Sequence, residues 1–122
     1  MNKVKFSLLF FVVTLFFACK TAPEFDLQLL YGEWTGADWL ISGKSSGRAA
    51  EEVRFSFTAT EYTAAYGEQR ERGSWRVEGK KLYTVADNKI EKVVKVSRIS
   101  SDTLVLDMNR AGQDEQLILV KK

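Results

Sequence analysis

The side chains that most often carry catalysis or bind metals are scarce in this sequence. It contains no histidine, and its single cysteine is Cys19. Without histidine there is no base for a serine or cysteine nucleophile of the triad type, and no zinc site of the usual histidine and cysteine kind. One cysteine also excludes a disulfide within the chain. The sequence therefore predicts a protein that is not an enzyme and that holds no metal and no cofactor.

Carboxylates are the remaining groups with acid–base chemistry, and the sequence has 16 of them. No two of them stand out as the kind of pair that flanks the scissile bond in glycosidases. Asp38 is notable because simple alternation places it on the same strand face as Trp34 and Leu40. A buried carboxylate is costly unless it is paired. Asp38 is therefore either a functional group that faces inward or, as the favoured interpretation, a residue that a bulge at Gly36 turns outward.

Cys19 follows the only long apolar run of the chain, which extends from Phe6 to Ala18 after a short basic start. This run of 13 residues is shorter than the roughly 20 residues that a membrane-spanning helix needs. A basic start, a short apolar region and a small final residue are typical of a secretory signal peptide. The competing interpretation is a buried core helix, but a helix that is apolar on every side needs a larger protein around it.

The junction of Ala18 and Cys19 resembles the lipobox of bacterial lipoproteins, in which a small residue precedes a cysteine that is lipidated and becomes the new N-terminus. The resemblance implies a lipoprotein signal peptide at residues 1–18, a lipidated tether at residues 19–28 and a membrane partner bound through lipid on Cys19. Several acyl chains give stable anchoring, since two or more are needed for that. Cleavage by an ordinary signal peptidase and an uncleaved anchor remain as alternatives.

The charge balance fits an exported protein rather than a nucleic-acid-binding one. The full chain has 18 basic and 16 acidic residues, and two of the basic ones, Lys3 and Lys5, lie in the predicted leader. Removing the leader leaves 16 of each sign, and no basic stripe of the kind that binds nucleic acid is present. The lipobox resemblance implies a lipid-anchored protein of the cell envelope, in the outer membrane, facing the periplasm or the cell surface.

Short segments of alternating apolar and polar residues, separated by turn residues, follow from residue 29 onward. The clearest is residues 53–59, in which Val53, Phe55, Phe57 and Ala59 share one face. The stretch EYTAAY has some helical character, but its tyrosines and its neighbours favour a strand.

About eight such strands with short connections predict an antiparallel meander, which hides its edges best by closing into a barrel. Residues 29–122 are thus predicted to form an all-β domain, an eight-stranded antiparallel up-and-down barrel. An open sandwich is the main competing fold. Trp34 and Trp39 are an odd number of residues apart, so they face opposite sides of their strand unless a bulge, expected at Gly36, intervenes.

The segment from Gly32 to Trp34 resembles the Gly-x-Trp motif on the first strand of the lipocalin and calycin barrels, where the Trp plugs one end of the barrel. Larger members pack an Arg of the last strand on this Trp, whereas the last strand here offers Lys121 and Lys122. Later segments occur in the order seen in small lipocalin-like lipoproteins of Bacteroidota: Phe55-Ser56-Phe57, Gly73-Ser74-Trp75, Leu82 and the run from Val96 to Asp107. The resemblance covers residues 29–121 and implies a lipocalin-like barrel.

Two groups of residues are the candidate binding elements of such a barrel. The candidate cavity-lining residues are Phe55, Phe57, Tyr62, Tyr66, Trp75 and Tyr83. An eight-stranded barrel holds either packed side chains or one small ligand, so these rings either line a cavity or simply fill the interior. The segment 42–49 corresponds to the long first loop beside the open mouth of lipocalin-like barrels. Its candidate recognition residues are Ser42, Gly43, Lys44, Gly47 and Arg48.

Two functions remain open for a barrel of this kind. A binder of a small apolar or amphipathic molecule predicts a connected apolar cavity of at least about 300 Å³. A protein-binding module, such as an enzyme inhibitor or a component of envelope assembly, predicts a filled barrel with an exposed apolar patch or a protruding loop.

Overall fold

The computed structural model of the protein describes residues 21–122. The predicted signal peptide at 1–18 and the predicted lipidation site Cys19 lie outside the described residues. The strands are β1 (Gly32–Ile41), β2 (Lys44–Ser45), β3 (Val53–Phe57), β4 (Glu61–Tyr66), β5 (Gln69–Glu78), β6 (Lys81–Ala86), β7 (Glu91–Ile99), β8 (Thr103–Arg110) and β9 (Gln113–Lys121). Short 3-10 helices, Leu27–Leu29 and Ala50–Glu52, precede β1 and β3. Within this part of the chain no helix is long and apolar enough to cross a membrane.

The sheet closes on itself. Strands β3 to β9 pair antiparallel in chain order, and β1 pairs with β3 on one side and with β9 on the other. The two-residue strand β2 only extends the hairpin at the end of β1. The eight longer strands therefore form a closed up-and-down barrel, which confirms the predicted fold and excludes the open sandwich.

A bulge in β1 lets both of its tryptophans face inward. The register with β9 shifts between Gly36 and Asp38, so Trp34 and Trp39 are both buried. Asp38 consequently points outward, where its Oδ1 accepts a hydrogen bond of 3.0 Å from the Ser45 hydroxyl. The bulge expected at Gly36 and the outward direction of Asp38 are both confirmed.

One end of the barrel is closed by the residues that precede β1. Leu30 and Trp34 have no exposed surface, and the Trp34 indole N–H donates 2.9 Å to the Leu30 carbonyl. The Lys121 ammonium lies 4.9 Å from the centre of the Trp34 ring and donates to the Leu29 carbonyl. Gly32 has a φ of 120°, which residues other than glycine rarely adopt, and this explains the glycine two positions before the Trp. This is called the closed end below.

The opposite end is called the open end and carries the β1–β2 hairpin together with the turns that join β4 to β5, β6 to β7, and β8 to β9. The helix Ala50–Glu52 lies beside β1 near this end, with Ala50 buried against the strand. The apolar pattern of β3 stops at Phe57, because Ala59 lies in the following turn and is exposed. The prediction that Ala59 faces inward is therefore wrong.

Residues 22–24 of the predicted tether lie against the closed end. Pro23 forms an isolated parallel bridge with Gly79 in the β5–β6 turn. The Glu24 N–H donates to the Gly79 carbonyl at 2.9 Å, and the Gly79 N–H donates to the Ala22 carbonyl at 3.1 Å. The chain is thus fixed to the barrel three residues after Cys19.

Candidate functional site

Four of the six candidate aromatic residues point into the barrel and mostly fill it. Phe57 and Tyr62 are buried, while Phe55 and Trp75 are partly buried against the same core. The Phe57 ring contacts the Trp75 ring edge to face at 5.6 Å and lies parallel to the Phe55 ring at 6.0 Å. The Trp75 indole N–H donates 2.9 Å to the Thr58 carbonyl. These rings pack against one another from the middle of the barrel, at Phe55, to the closed end.

The other two candidates lie elsewhere. Tyr66 is at the rim of the open end, where its ring packs edge to face on Trp39 at 5.7 Å. Tyr83 lies on the outer face, directly across from Arg76 in the sheet, with the Arg76 guanidinium 4.1 Å from its ring centre. The inward positions of β6 belong to buried residues such as Leu82. The prediction that Tyr83 lines the interior is therefore wrong.

A polar network occupies the inner wall toward the open end. The Tyr62 hydroxyl donates 2.6 Å to Oε2 of Glu71, and the Lys92 ammonium donates 3.1 Å to Oε1 of the same carboxylate. Burial, together with the Glu71 hydrogen bond, raises the pKa of Tyr62 to about 12. The hydrogen bond from Tyr62 is the main cause that lowers the pKa of Glu71. The network thus fixes a neutral phenol beside an ionised carboxylate.

Sequence reasoning identified Tyr62 but missed Glu71 and Lys92. Alternation along β5 places Glu71 on the same face as Trp75, and this was the available signal. Alternation along β7 likewise places Lys92 on the same face as Val94 and Val96, but its contact with Glu71 depends on the pairing of β5, β6 and β7, which local alternation does not give.

A second polar cluster seals the opposite side of the open end. Glu115 is only 4% exposed, and its Oε1 accepts 2.9 Å from the Trp39 indole N–H. Arg48 and Arg110 each place a guanidinium nitrogen 3.7 Å from this carboxylate. Arg48 also lies over the Trp39 ring at 5.0 Å. The segment 42–49 is therefore held onto the barrel rim by its last charged residue.

The other residues of the predicted mouth loop build its turns. Ser42 and Gly43 have positive φ angles of 50° and 79° and form the β1–β2 hairpin turn. Lys44 is in β2 and pairs with Ile41, and Gly47 has a φ of 76°. These four residues are exposed or nearly so, and of the five predicted loop residues only Arg48 contacts the interior cluster.

Two concavities lie on the described surface, and the larger is lined mainly by outward-facing residues. The larger, about 400 Å³, crosses the outer faces of β1, β3, β4 and β5. The smaller, about 350 Å³, lies beside Gly43 on β8 and β9. In residues 21–122 no three Asp, Glu, Cys or His side chains are grouped as a metal site requires.

A model of the lipocalin-like domain family matches residues 30–106. The chain belongs to this family. The match begins just before the Gly32–Trp34 motif and ends within β8, so it includes Leu30 and Trp34 of the closed end and the inner polar network. In this lipocalin-like domain Lys121, rather than an arginine, packs on the plugging Trp34.

Solved structures show the same lipocalin-like fold. A lipocalin-like protein from Bacteroides uniformis has a TM-score of 0.61 at 17% identity, covering 77% of this chain and 99% of that chain. A protein from Bacteroides eggerthii has a TM-score of 0.59 at 12% identity, covering 76% of this chain and 99% of that chain. At these identities the likeness concerns the fold alone. No curated protein matches this chain.

Proposed function

We propose that this lipocalin-like protein is a lipid-anchored, non-catalytic component of the bacterial cell envelope that binds a small amphipathic molecule at the open end of its barrel. The supporting observation is that several inward-facing apolar side chains between the middle of the barrel and its open end are not fully covered. At the closed end Leu30, Trp34 and Leu119 have no exposed surface. From the middle of the barrel to the open end, several inward-facing apolar side chains stay partly exposed. These are Phe55, Ala64, Val94 and Met108.

The polar network complements these apolar side chains. Glu71 and Lys92 lie on the inner wall next to them, with side-chain exposures of 29% and 61%. A ligand with an apolar body and a polar head would place its body on Phe55 and Val94 and its head near the Lys92 ammonium. An eight-stranded barrel has room for one such molecule, because its interior is only wide enough for side chains or a small ligand.

A protein-binding module is the second candidate, and one observation favours it. The larger concavity lies on the outer face of the sheet, while the closed half of the barrel is filled. A filled barrel that presents its surface to another protein accounts for this distribution.

The small-ligand proposal is tested with N-phenyl-1-naphthylamine, an uncharged apolar fluorophore, and a matched pair of variants. Val94→Trp places an indole on the inner wall, whereas Val93→Trp places the same group on the outer face one residue away. We expect saturable binding to the wild type and to Val93→Trp. Val94→Trp is expected to weaken it by about tenfold or more, which corresponds to about 1.4 kcal/mol.

Folding of both variants is checked by far-UV circular dichroism before titration. Absence of binding to the wild type contradicts the small-ligand proposal and leaves the protein-binding module as the favoured function. Equal binding to both folded tryptophan variants also contradicts it, because the fluorophore then does not use the interior.

The lipid anchor is tested by Cys19→Ala in the full chain, with Thr21→Ala as the control. We expect Cys19→Ala to leave the membrane fraction and to lose the mass of its acyl chains, while Thr21→Ala keeps both. The measurement is membrane fractionation followed by intact mass spectrometry. A Cys19→Ala protein that stays with the membrane, with no lipid mass difference from the wild type, contradicts the anchor.

A further inference from the structure

The larger outer concavity is built from two parallel rows of side chains. Its floor is the backbone of a row of paired residues whose side chains point inward, running from Trp34 through Phe55 and Ala64 to Glu71. The row on one side consists of Thr35, Arg54, Ala65 and Arg70. The row on the other side consists of Glu33, Ser56, Thr63 and Arg72. This concavity is called the outer groove below.

The sheet register brings three arginines together over small residues. Ala65 pairs with Arg54 on one neighbouring strand and with Arg70 on the other, so the two arginines flank an alanine. Neighbouring strands lie about 4.8 Å apart. The Cα atoms of Arg54 and Arg70, which are two strands apart, are therefore separated by roughly 10 Å. Arg72 is two residues along β5 from Arg70 and shares its face, about 7 Å away. Arg70 and Arg72 are within the distance at which long side chains on one sheet face interact, and only Ala65 separates Arg70 from Arg54.

Few carboxylate side chains lie close enough to pair with the guanidinium groups of this groove. Among residues 21–122, neither Arg54 nor Arg70 has a carboxylate oxygen within 4.0 Å. Arg72 pairs with Asp87 at 3.6 Å, but both side chains are about three-quarters exposed. A pair so exposed contributes little and is easily exchanged. Glu33 is the only acidic side chain among the outward-facing residues of the groove.

Size and hydrogen-bonding groups point to a small ligand. The groove encloses about 400 Å³, which is within the range of small-molecule sites. Ser56 and Thr63 place hydroxyl groups in the row beside the arginines. Guanidinium groups bind phosphate through paired N–H···O hydrogen bonds, which are stronger than neutral ones.

We propose that the outer groove binds a phosphate monoester, with Arg54 and Arg70 donating hydrogen bonds to the phosphate above Ala65. Arg72 and the hydroxyl groups of Ser56 and Thr63 contact the remainder of the ligand. The ester belongs either to a small soluble molecule or to a lipid headgroup. This site is separate from the open end, because its side chains point away from the barrel interior.

The test uses the folded domain, residues 21–122, and follows its backbone amides by nuclear magnetic resonance. The probes are glucose 6-phosphate, inorganic phosphate, glucose, and vesicles that contain phosphatidic acid. We expect saturable shifts at Ala65 and Thr63 with glucose 6-phosphate and none with glucose. The double variant Arg54→Ala/Arg70→Ala is expected to weaken binding by at least about tenfold, as the loss of charge-assisted hydrogen bonds predicts.

The matched control is Lys95→Ala/Arg98→Ala, which removes two exposed positive charges from β7. It is expected to bind within about twofold of the wild type, since distant surface changes have small effects. Binding of the vesicles that depends on Arg54 and Arg70, without a response to glucose 6-phosphate, assigns the groove to a lipid headgroup. The proposal is overturned if neither glucose 6-phosphate nor the phosphatidic acid vesicles bind saturably. It is also overturned if Lys95→Ala/Arg98→Ala loses as much affinity as Arg54→Ala/Arg70→Ala.

Discussion

Charged side chains are tolerated inside this barrel because each one has hydrogen-bonding or ionic partners. Glu115 accepts a hydrogen bond from Trp39 and lies between two arginines, and Glu71 accepts from Tyr62 and Lys92. Within residues 21–122, no buried side-chain nitrogen or oxygen lacks a hydrogen-bond partner. A buried polar group without a partner would cost stability, so the interior tolerates these charges only as complete networks.

The pair of Tyr62 and Glu71 predicts how stability depends on pH. Because the pKa of Glu71 is lowered from 4.5 by folding, its contribution is present above about pH 4.5 and is lost as the pH falls through the folded value. Tyr62→Phe removes the main cause of this shift. We therefore expect the stability difference between the wild type and Tyr62→Phe to be larger at pH 7 than at pH 3.5, measured by urea unfolding.

Tyr66→Phe is the control, because the Tyr66 ring is at the exposed rim, apart from the network. Its stability difference from the wild type should not change over the same interval. At high pH the sign is opposite: the pKa of Tyr62 is raised from 10.0 to about 12, so its contribution is lost as the pH rises through that range. A Tyr62→Phe difference that is constant from pH 3.5 to 7 contradicts the assigned role.

At the scale of the strands, the bulge in β1 was the feature that the sequence predicted best. The odd spacing of Trp34 and Trp39 allows both to face inward only if a bulge intervenes, and Gly36 was the expected position of that bulge. The bulge places the Gly36 backbone against the carbonyl of Ala50, where a Cβ atom would collide with it. One glycine thus positions both the first strand and the helix that follows the mouth loop.

Gly36→Ala is therefore expected to destabilise the protein by about 1–3 kcal/mol, in the range of overpacked sites. The carbonyl of Ala50 is backbone, so the helix Ala50–Glu52 must move to accept the methyl group. The measurement is thermal unfolding followed by circular dichroism. Thr35→Ala, on the outer face of the same strand, is the control and should stay within about 0.5 kcal/mol. Equal stability of the Gly36→Ala variant would contradict the close contact.

The sequence was informative about strands and less so about which face of each strand points inward. The barrel, the Trp34 plug and the outward Asp38 followed from spacing and motif order. The outward position of Tyr83 was not predictable, because both faces of β6 carry apolar residues and only the pairing with β5 shows which face points inward. The contact of Trp39 with Glu115 joins positions 76 residues apart, and local alternation contains no information on such pairs.

At the scale of the whole molecule, the contacts of residues 22–24 with the closed end determine which end of the barrel is nearer to the proposed lipid anchor. Ala22 and Glu24 are hydrogen-bonded to Gly79 at the closed end. With the lipid proposed for Cys19, the closed end lies near the membrane surface and the open end points away from it. Tilted strands of this length place the open end about 25 Å farther out.

Fluorophores attached at Lys80→Cys and at Ala111→Cys test this orientation in liposomes containing the lipidated protein. Lys80 lies in the β5–β6 turn at the closed end, and Ala111 lies in the β8–β9 turn at the open end. We expect nitroxide groups on lipid headgroups to quench the Lys80 label strongly and the Ala111 label weakly. The reverse order would mean that the barrel mouth faces the membrane.

The pairing of β1 with β9 also determines when this protein is able to fold. The seam joins Trp34 to Lys121, so nearly the whole domain must leave the ribosome before the barrel closes. A nascent chain that lacks β9 has two open sheet edges and an incomplete core. If the proposed leader at residues 1–18 directs export in an unfolded state, this late closure would keep the precursor competent for translocation until β9 has been made.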